Sequence, residues 1–455
     1  MDATTERLVD YAQRAEYATL PPETVKQCKR RIVDTFASAI GAYDEPLSRM
    51  ARQHAARYAK VPEATVWGSP HRTTSEAAAF ANGVMLRYLD ISDTYLSKSR
   101  GHPSDTISGI LAAAEELRSD GASIINAITL SYDIYCSFMD AIDINSRGWD
   151  QPVYSVLGCV LGVSKLMGLT REQMGHAISL ALVPNMALTQ TRRGELSSWK
   201  GCAGANAARN AVFAATLARD GFTGPAAPFD GEGGLFDVIG KFDWPLPAMP
   251  GAPHMITLTH IKTLPICYHG QSAVLAALEL RPQLPGEEIA EIQIETYRTS
   301  VSMMGADESR WTPSTRETAD HSLPYVVATA LLDGRVNAAS FAPEKLGAPR
   351  AVGLMRKIKV SESTAMTQLY PESSPSRLVV RLKSGVVLDR TVRYPKGHAK
   401  NPVDDAAVAQ KFRELFAAHG TPQQIESALS ALQSFEQVKD VRREVLDKLA
   451  TQATR

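Results

Sequence analysis

Residues 5–240 read as one helix after another, and near residue 260 the texture changes to that of strands. That switch limits the chain to a helical body joined to a smaller mixed unit. PPETVKQCKRRIVDTFASAIGA (21–42) opens on prolines, which suit a first turn, and ends near Gly41. Thr170 and Gln173 in TREQMGHAISLAL (170–182) have the spacing of a capping box. YSVLGCVLGVSKLMGL (154–169) is apolar on nearly every face, which predicts a central buried helix. AGANAARNAVFAATLARDG (203–221) closes on Gly221, and its small side chains allow neighbouring helices to approach closely.

Beyond residue 260, EIAEIQIETYR (288–298) and GLMRKIKVSES (353–363) alternate as strands do. RLVVRLKSGVVLDRTVRY (377–394) reads as a hairpin turning at Lys383-Ser384-Gly385. Between them SLPYVVATALLDG (322–334) is helical and stops at Gly334. From Pro402 the pattern is helical again, in DDAAVAQKFRELFAAHG and TPQQIESALSALQSF. The predicted fold is mainly α. A large helical domain takes residues 1–260 and 397–455, and a smaller α/β domain is inserted at 261–396. A length of 455 residues agrees with two units rather than one core.

Lys plus Arg and Asp plus Glu both number 49, which argues against a nucleic-acid surface or a basic membrane anchor. No apolar run reaches 18 residues, and MDATTERLVDYAQ lacks the basic and apolar parts of a signal peptide. The cysteines Cys28, Cys136, Cys159, Cys202 and Cys267 are odd in number and never spaced CxxC. They point to a reducing compartment, the cytoplasm, and away from structural zinc. No HExxH or GxSxG occurs, and no dense Asp/Glu/His cluster suited to a metal. GEGG (231–234) follows no strand and lacks the lysine–serine ending of a phosphate loop.

Proton-handling residues concentrate in RYLDISDTYLSKSRGHPSD (87–105). If the helix of 74–89 runs on, Asp90, Asp93 and Thr94 share a face. His102 sits in a Gly-His-Pro-Ser turn, and its usual pKa near ~6.5 suits proton transfer, with Asp90 to orient it. The competing reading makes the aspartates helix caps and His102 a surface turn residue. Asp150 precedes a buried helix and is either a cap or a site residue. Arg192, Arg193 and Lys200 stand before the alanine-rich helix, as a carboxylate site or a solvated basic loop. Trp199 beside Lys200 is expected to desolvate the amine. Lys262 falls at the junction of the two domains, a common place for ligand clefts, or is a hinge lysine in water. Cys267 reads as a packed thiol, since no acid–base partner adjoins it. In ADHSLPY (319–325), Asp320 and Ser322 read as caps. His321 and Tyr325 stand just before a helix of the smaller domain, with His321 towards the cleft.

The ordered blocks LDISDT, GHPSD, GWDQP, LSSWKGCAGANAARN, GFTGP, KTLPICYHGQ and DHSLPYVVATALLDG resemble the MmgE/PrpD family over roughly residues 20–400. That family contains 2-methylcitrate dehydratases, cis-aconitate decarboxylases and an iminodisuccinate epimerase. The resemblance implies a helical domain with an inserted α/β lid, usually as a homodimer. It also implies a cleft that binds a small polycarboxylate without metal or organic cofactor. Asp90, His102, Lys200, Lys262 and Thr94 match the family's site positions. Two departures stand out. The usual DxDD is DISD here, with Ser92 replacing an acid, and Asp150 stands where the decarboxylase branch carries histidine. The implied reaction is dehydration of a 2-methylcitrate-like acid. His102, Asp90, Lys200 and Lys262 are the catalytic candidates. Thr94, Asp150, Arg192, Arg193, His321 and Tyr325 are the substrate-binding ones. Decarboxylation, epimerisation and isomerisation begin from the same stabilised carbanion and stay open. So does a non-catalytic carboxylate binder, which would tolerate charge reversal at Lys200 and Lys262.

Overall fold

The computed structural model describes residues 1–194, 196–248, 251–284 and 288–451. Apolar side chains gather into two large clusters. One draws on residues between Leu8 and Ile261 and again between Val403 and Leu449. The other draws on residues between Leu264 and Leu382. Burial therefore groups the C-terminal helices Asp405–Phe416 and Pro422–Gln433 with the N-terminal body, and not with the strands that precede them. The fold is mainly helical with a smaller α/β unit.

In the body, the Pro152–Leu166 helix packs between the Gly121–Ala141 and Trp199–Arg219 helices, and its residues 152–164 are all buried. The Arg171–Leu182 helix carries the full capping box of Thr170 and Gln173. Small residues serve close approach. A Cβ on Gly204 would stand 2.0 Å from Oδ2 of Asp105, so the Trp199–Arg219 helix has to present a bare backbone there.

The smaller unit holds a four-stranded sheet in the order Ile358–Glu362, Ile289–Thr296, Ser376–Leu382, Val387–Val392. The first pair is parallel and the others antiparallel. Ile292, Ile294 and Thr296 alternate inward, and the two isoleucines share a core with side chains of the Gln271–Leu280 and Leu323–Asp333 helices. Gly334, at φ 68°, closes the latter helix. The stretch 353–363, expected as one strand, divides. Pro349–Met355 is a helix, because Ala351, Leu354 and Met355 are buried at helical spacing behind a first-turn proline. The strand begins only at Ile358.

The chain crosses between the two units twice, and the crossings lie side by side. His260 and Thr94 exchange both backbone hydrogen bonds, at 2.8 and 2.9 Å. The next residue, Ile261, donates to Gly397 O at 2.9 Å. The His260 ring stacks against Tyr268 and His398. Lys411, on the Asp405–Phe416 helix, reaches Ile91 O at 2.7 Å and Lys262 O at 2.9 Å, which fixes the first crossing from behind. Among the described residues no helix is long and apolar enough to cross a membrane.

Candidate active site

The helix Ser75–Tyr88 does not continue through Asp90. Leu89 caps it, and Asp90 turns back in the left-handed region at φ 50°. Aspartate tolerates that conformation better than most residues. Asp90, Asp93 and Thr94 therefore do not share a helical face. Asp93 faces away from the cavity and ties the loop together. Its Oδ1 accepts from Ser104 N at 3.0 Å and its Oδ2 from Tyr132 OH at 2.7 Å. Ser92 accepts from Arg87 at 2.7 Å, a task its hydroxyl performs without adding an acid.

Asp90 is 2 % exposed and surrounded by cations. Lys262 Nζ donates to its backbone oxygen and to Oδ1, both at 2.9 Å. Arg87 lies 3.2 Å from Oδ1, and Lys200 Nζ 3.7 Å from Oδ2. Burial works against an ionised carboxylate, but Lys200, Lys262 and Arg87 outweigh it and hold Asp90 well below the usual range. Lys262 is pulled below its usual range by burial, which Asp90 opposes.

His102 does not lean on Asp90. Its Nδ1 lies 2.8 Å from the carbonyl oxygen of Asp93. A carbonyl can only accept, so Nδ1 carries the hydrogen and Nε2 keeps its lone pair. Burial, reinforced by Arg87 and Lys262, holds His102 well below the usual histidine range. It is a neutral base at pH 7. Tyr135 OH accepts from His102 N at 2.9 Å and donates to Gln151, whose amide donates to Asp105 at 2.8 Å. Asp105 in turn meets Arg87 at 3.1 Å. This chain of partners fixes the turn that carries the imidazole.

Lys200 lies in the first turn of the Trp199–Arg219 helix rather than before it. Trp199 is 46 % exposed and does not bury the amine. The lid does, with Asp320 Oδ1 and His321 Nδ1 each 3.3 Å from Lys200 Nζ. Asp320 caps the end of the Arg316–Ala319 helix through its backbone, but its side chain is spent on Lys200 and His321, whereas Ser322 caps with its side chain, accepting from Tyr325 N. Asp90, Asp320 and His321 bring ligand-type atoms within 4.8 Å of one another, a convergence hidden in sequence by a separation of 230 positions between the two aspartates. The cation seated among them is the Lys200 ammonium.

One cavity between body and lid collects most of the predicted residues: Asp90, Thr94, His102, Asp150, Arg192, Lys200, Lys262 and His321. Asp150 pairs with Arg192 at 3.0 Å, and Arg192 also donates to the Lys200 carbonyl at 3.0 Å, so that pair buttresses the lysine. Thr94 donates to Gly101 O at 2.9 Å. Two predicted residues lie elsewhere. Arg193 is exposed. Tyr325 is buried in the lid core, its hydroxyl donating to Ser340 O at 2.7 Å, because the helix behind Ser322 turns that face inward. Sequence reading missed Arg87, Arg100, Gln151 and the site role of Cys267, all of which line the cavity. Arg100, two residues before His102, has no carboxylate partner among the described residues. Its place inside the polar 87–105 stretch was the available signal.

The family model for the MmgE/PrpD N-terminal domain matches residues 6–245, and that for the C-terminal domain matches residues 264–437. A 2-methylcitrate dehydratase of Cupriavidus necator is 29% identical over 450 residues, covering 93% of this chain and 92% of that one. The 2-methylcitrate dehydratase of Escherichia coli K12 is 28% identical over 422 residues, 87% of this chain and 86% of its own. A mitochondrial 2-methylcitrate dehydratase of Yarrowia lipolytica is 28% identical over 397 residues, 82% and 76% respectively. The chain belongs to the MmgE/PrpD family.

Proposed function

We propose that the protein is a hydro-lyase that removes water from 2-methylcitrate or a closely related hydroxy-polycarboxylate. The observation that carries this reading is the neutral His102, its Nε2 unprotonated, set in one cavity with buried cations. Five cationic side chains (Arg87, Arg100, Arg192, Lys200 and Lys262) line that cavity against the two carboxylates of Asp90 and Asp150. Such a lining suits a substrate with several negative charges.

In this reading His102 Nε2 removes a proton from the carbon next to a carboxylate. The electron pair spreads onto that carboxylate, where Lys200, Lys262 and Arg100 hold the growing charge. Preorganised contacts of this kind are each worth on the order of 10²–10³ in rate. The hydroxyl on the neighbouring carbon then leaves as water and a carbon–carbon double bond forms. Asp90 holds the two lysines in place. Leu96, Met303 and Tyr268 supply the apolar part of the lining, which is the chemistry an added methyl group requires. Decarboxylation or epimerisation could start from the same carbanion, but the similar proteins named above are dehydratases. The homodimer implied by the family resemblance is part of the same proposal, and light scattering tests it.

The deciding experiment offers purified protein citrate, 2-methylcitrate, cis-aconitate, malate and tartrate. It follows the ultraviolet absorbance of a conjugated alkene acid and the release of carbon dioxide. Rising absorbance without carbon dioxide, strongest with 2-methylcitrate, is expected. Carbon dioxide from cis-aconitate would replace this reading with decarboxylation. No change with any acid would refute it.

A further inference from the structure

The reaction requires an acid as well as a base, and the lid holds a group that the dehydration scheme has not used. Cys267 and His321 line the same cavity, on the lid side of Lys200 and Lys262. Their segments are fastened together, since Cys267 N donates to Asp320 O at 2.9 Å. His321 Nδ1 lies 2.5 Å from Asp320 Oδ1. The carboxylate can only accept, so Nδ1 carries a hydrogen and Nε2 is the nitrogen left for Cys267 and substrate. Lys200, 3.3 Å from the same Nδ1, then donates to Asp320 rather than to the ring.

We propose that Cys267, His321 and Asp320 form a relay that delivers the proton to the leaving hydroxyl from the lid, opposite the base His102. This rests on the dehydratase reading of the cavity. His102 Nε2 takes the carbon-bound proton. The C–H electron pair becomes the double bond. The C–O bond breaks with its pair on oxygen, and that oxygen takes the proton from His321 Nε2 and departs as water. The cycle leaves His102 protonated and His321 neutral. Solvent exchanges both once the product has gone.

The charges around the pair support the assignment. For His321, burial and Lys200 oppose the charged form, yet Cys267 and Asp320 prevail and raise it above the usual histidine range. For Cys267, burial opposes the thiolate and His321 overcomes it, so the thiol is lowered. Asp90, Lys262, His269, Tyr297 and Tyr370 are the other charged and titratable groups that face the pair. His102 and His321 are thus pushed in opposite directions, which is how acid and base are told apart in one site. The other four thiols are driven the other way by burial, Cys28 to about 12 and Cys202 to about 11, with Cys136 and Cys159 also raised. A thiolate formed below the usual thiol range therefore belongs to Cys267.

Two measurements test this. The first titrates thiolate ultraviolet absorbance in wild type, Cys267→Ser and His321→Gln. Wild type should show one thiolate forming below the ordinary thiol range, absent in Cys267→Ser and moved to higher pH in His321→Gln. Absence of thiolate signal in wild type below the range of an ordinary thiol, about 8.5, overturns the pair. The second compares 2-methylcitrate with an analogue carrying fluoride in place of the hydroxyl, since fluoride leaves without needing a full proton transfer. His321→Gln should lose about 10²–10⁴ in kcat on 2-methylcitrate and far less on the fluoride, whereas His102→Asn should lose equally on both. Cys267→Ser should keep KM and shift the alkaline limb of the pH profile to lower pH. An equal loss of His321→Gln on both substrates, or none on either, overturns the acid role alone. A wild type inert toward every acid removes that role together with the dehydratase reading, while the titration still decides whether the pair exists.

Discussion

Lys262 Nζ binds Asp90 twice, at the backbone oxygen and the carboxylate, both at 2.9 Å, and in doing so joins the lid boundary to the strained end of a body helix. The carboxylate is shared by Lys200 and Arg87, so the two partners of this bond are not equivalent. Asp90→Asn leaves three buried cations short of their counter-ion. Lys262→Met leaves Asp90 with two. Removing one partner of a buried pair costs roughly 3–5 kcal/mol when a charge is stranded. Asp90→Asn should therefore lower the urea midpoint substantially more than Lys262→Met. The reverse order would show that Asp90 is not the common counter-ion.

His102 is buried neutral, and its proton-accepting form persists below the usual histidine pKa. The acid limb of kcat/KM should accordingly fall well below pH ~6.5, and activity at pH 6 should stay close to that at pH 7. His102→Asn should lose about 10²–10⁴ in kcat with fold retained by circular dichroism. An acid limb centred on the ordinary histidine value would exclude His102 as the base in the form described.

Much of the framework was legible because local chemistry and final packing agree. Thr170 with Gln173 and Gly334 mark helix ends in the sequence and do so in the structure. The switch of texture near residue 260 corresponds to the passage from one apolar cluster to the other. What stayed hidden depended on groups far apart in the chain. Periodicity carried the helix through Asp90, but the pull of Lys262, Lys200 and Arg87 on its carboxylate accompanies a left-handed turn instead. Cys267 had no partner nearby in sequence, and its partner His321 comes from 54 residues further on. Trp199 was credited with burying Lys200 because it is adjacent, yet on a helix adjacent residues point to different faces.

Stability should depend on pH through the same buried histidines. Burial holds His102, His260 and His269 well below the usual range. Between their folded values and ~6.5 the unfolded chain binds more protons than the folded one, so stability rises with pH through that window and is lost as pH falls below it. Each contributes up to about 1.4 kcal/mol per pH unit within the window. The melting temperature should hold above pH 6.5 and drop steeply beneath it. Flat stability from pH 7 to 5 would mean that these rings are not buried neutral.

The two chain crossings make Gly397 the most exacting position of the hinge. Its φ is 93°, and a Cβ there would stand 1.8 Å from the backbone oxygen of Ile261. Neither feature can be relieved by rotating a side chain, because the obstacle is backbone and the conformation itself disfavours a Cβ. Gly397→Ala must therefore push the return crossing off the outgoing one, breaking the Ile261 N to Gly397 O bond and moving Lys262, the next residue, away from Asp90. The expected result is a destabilisation of about 1–3 kcal/mol together with a kcat loss larger than stability alone explains. Gly385, also at positive φ but in open space at the hairpin turn, is the control, because alanine there should cost stability without touching kcat. Equal kcat in the two variants would show that the hinge does not set the position of Lys262.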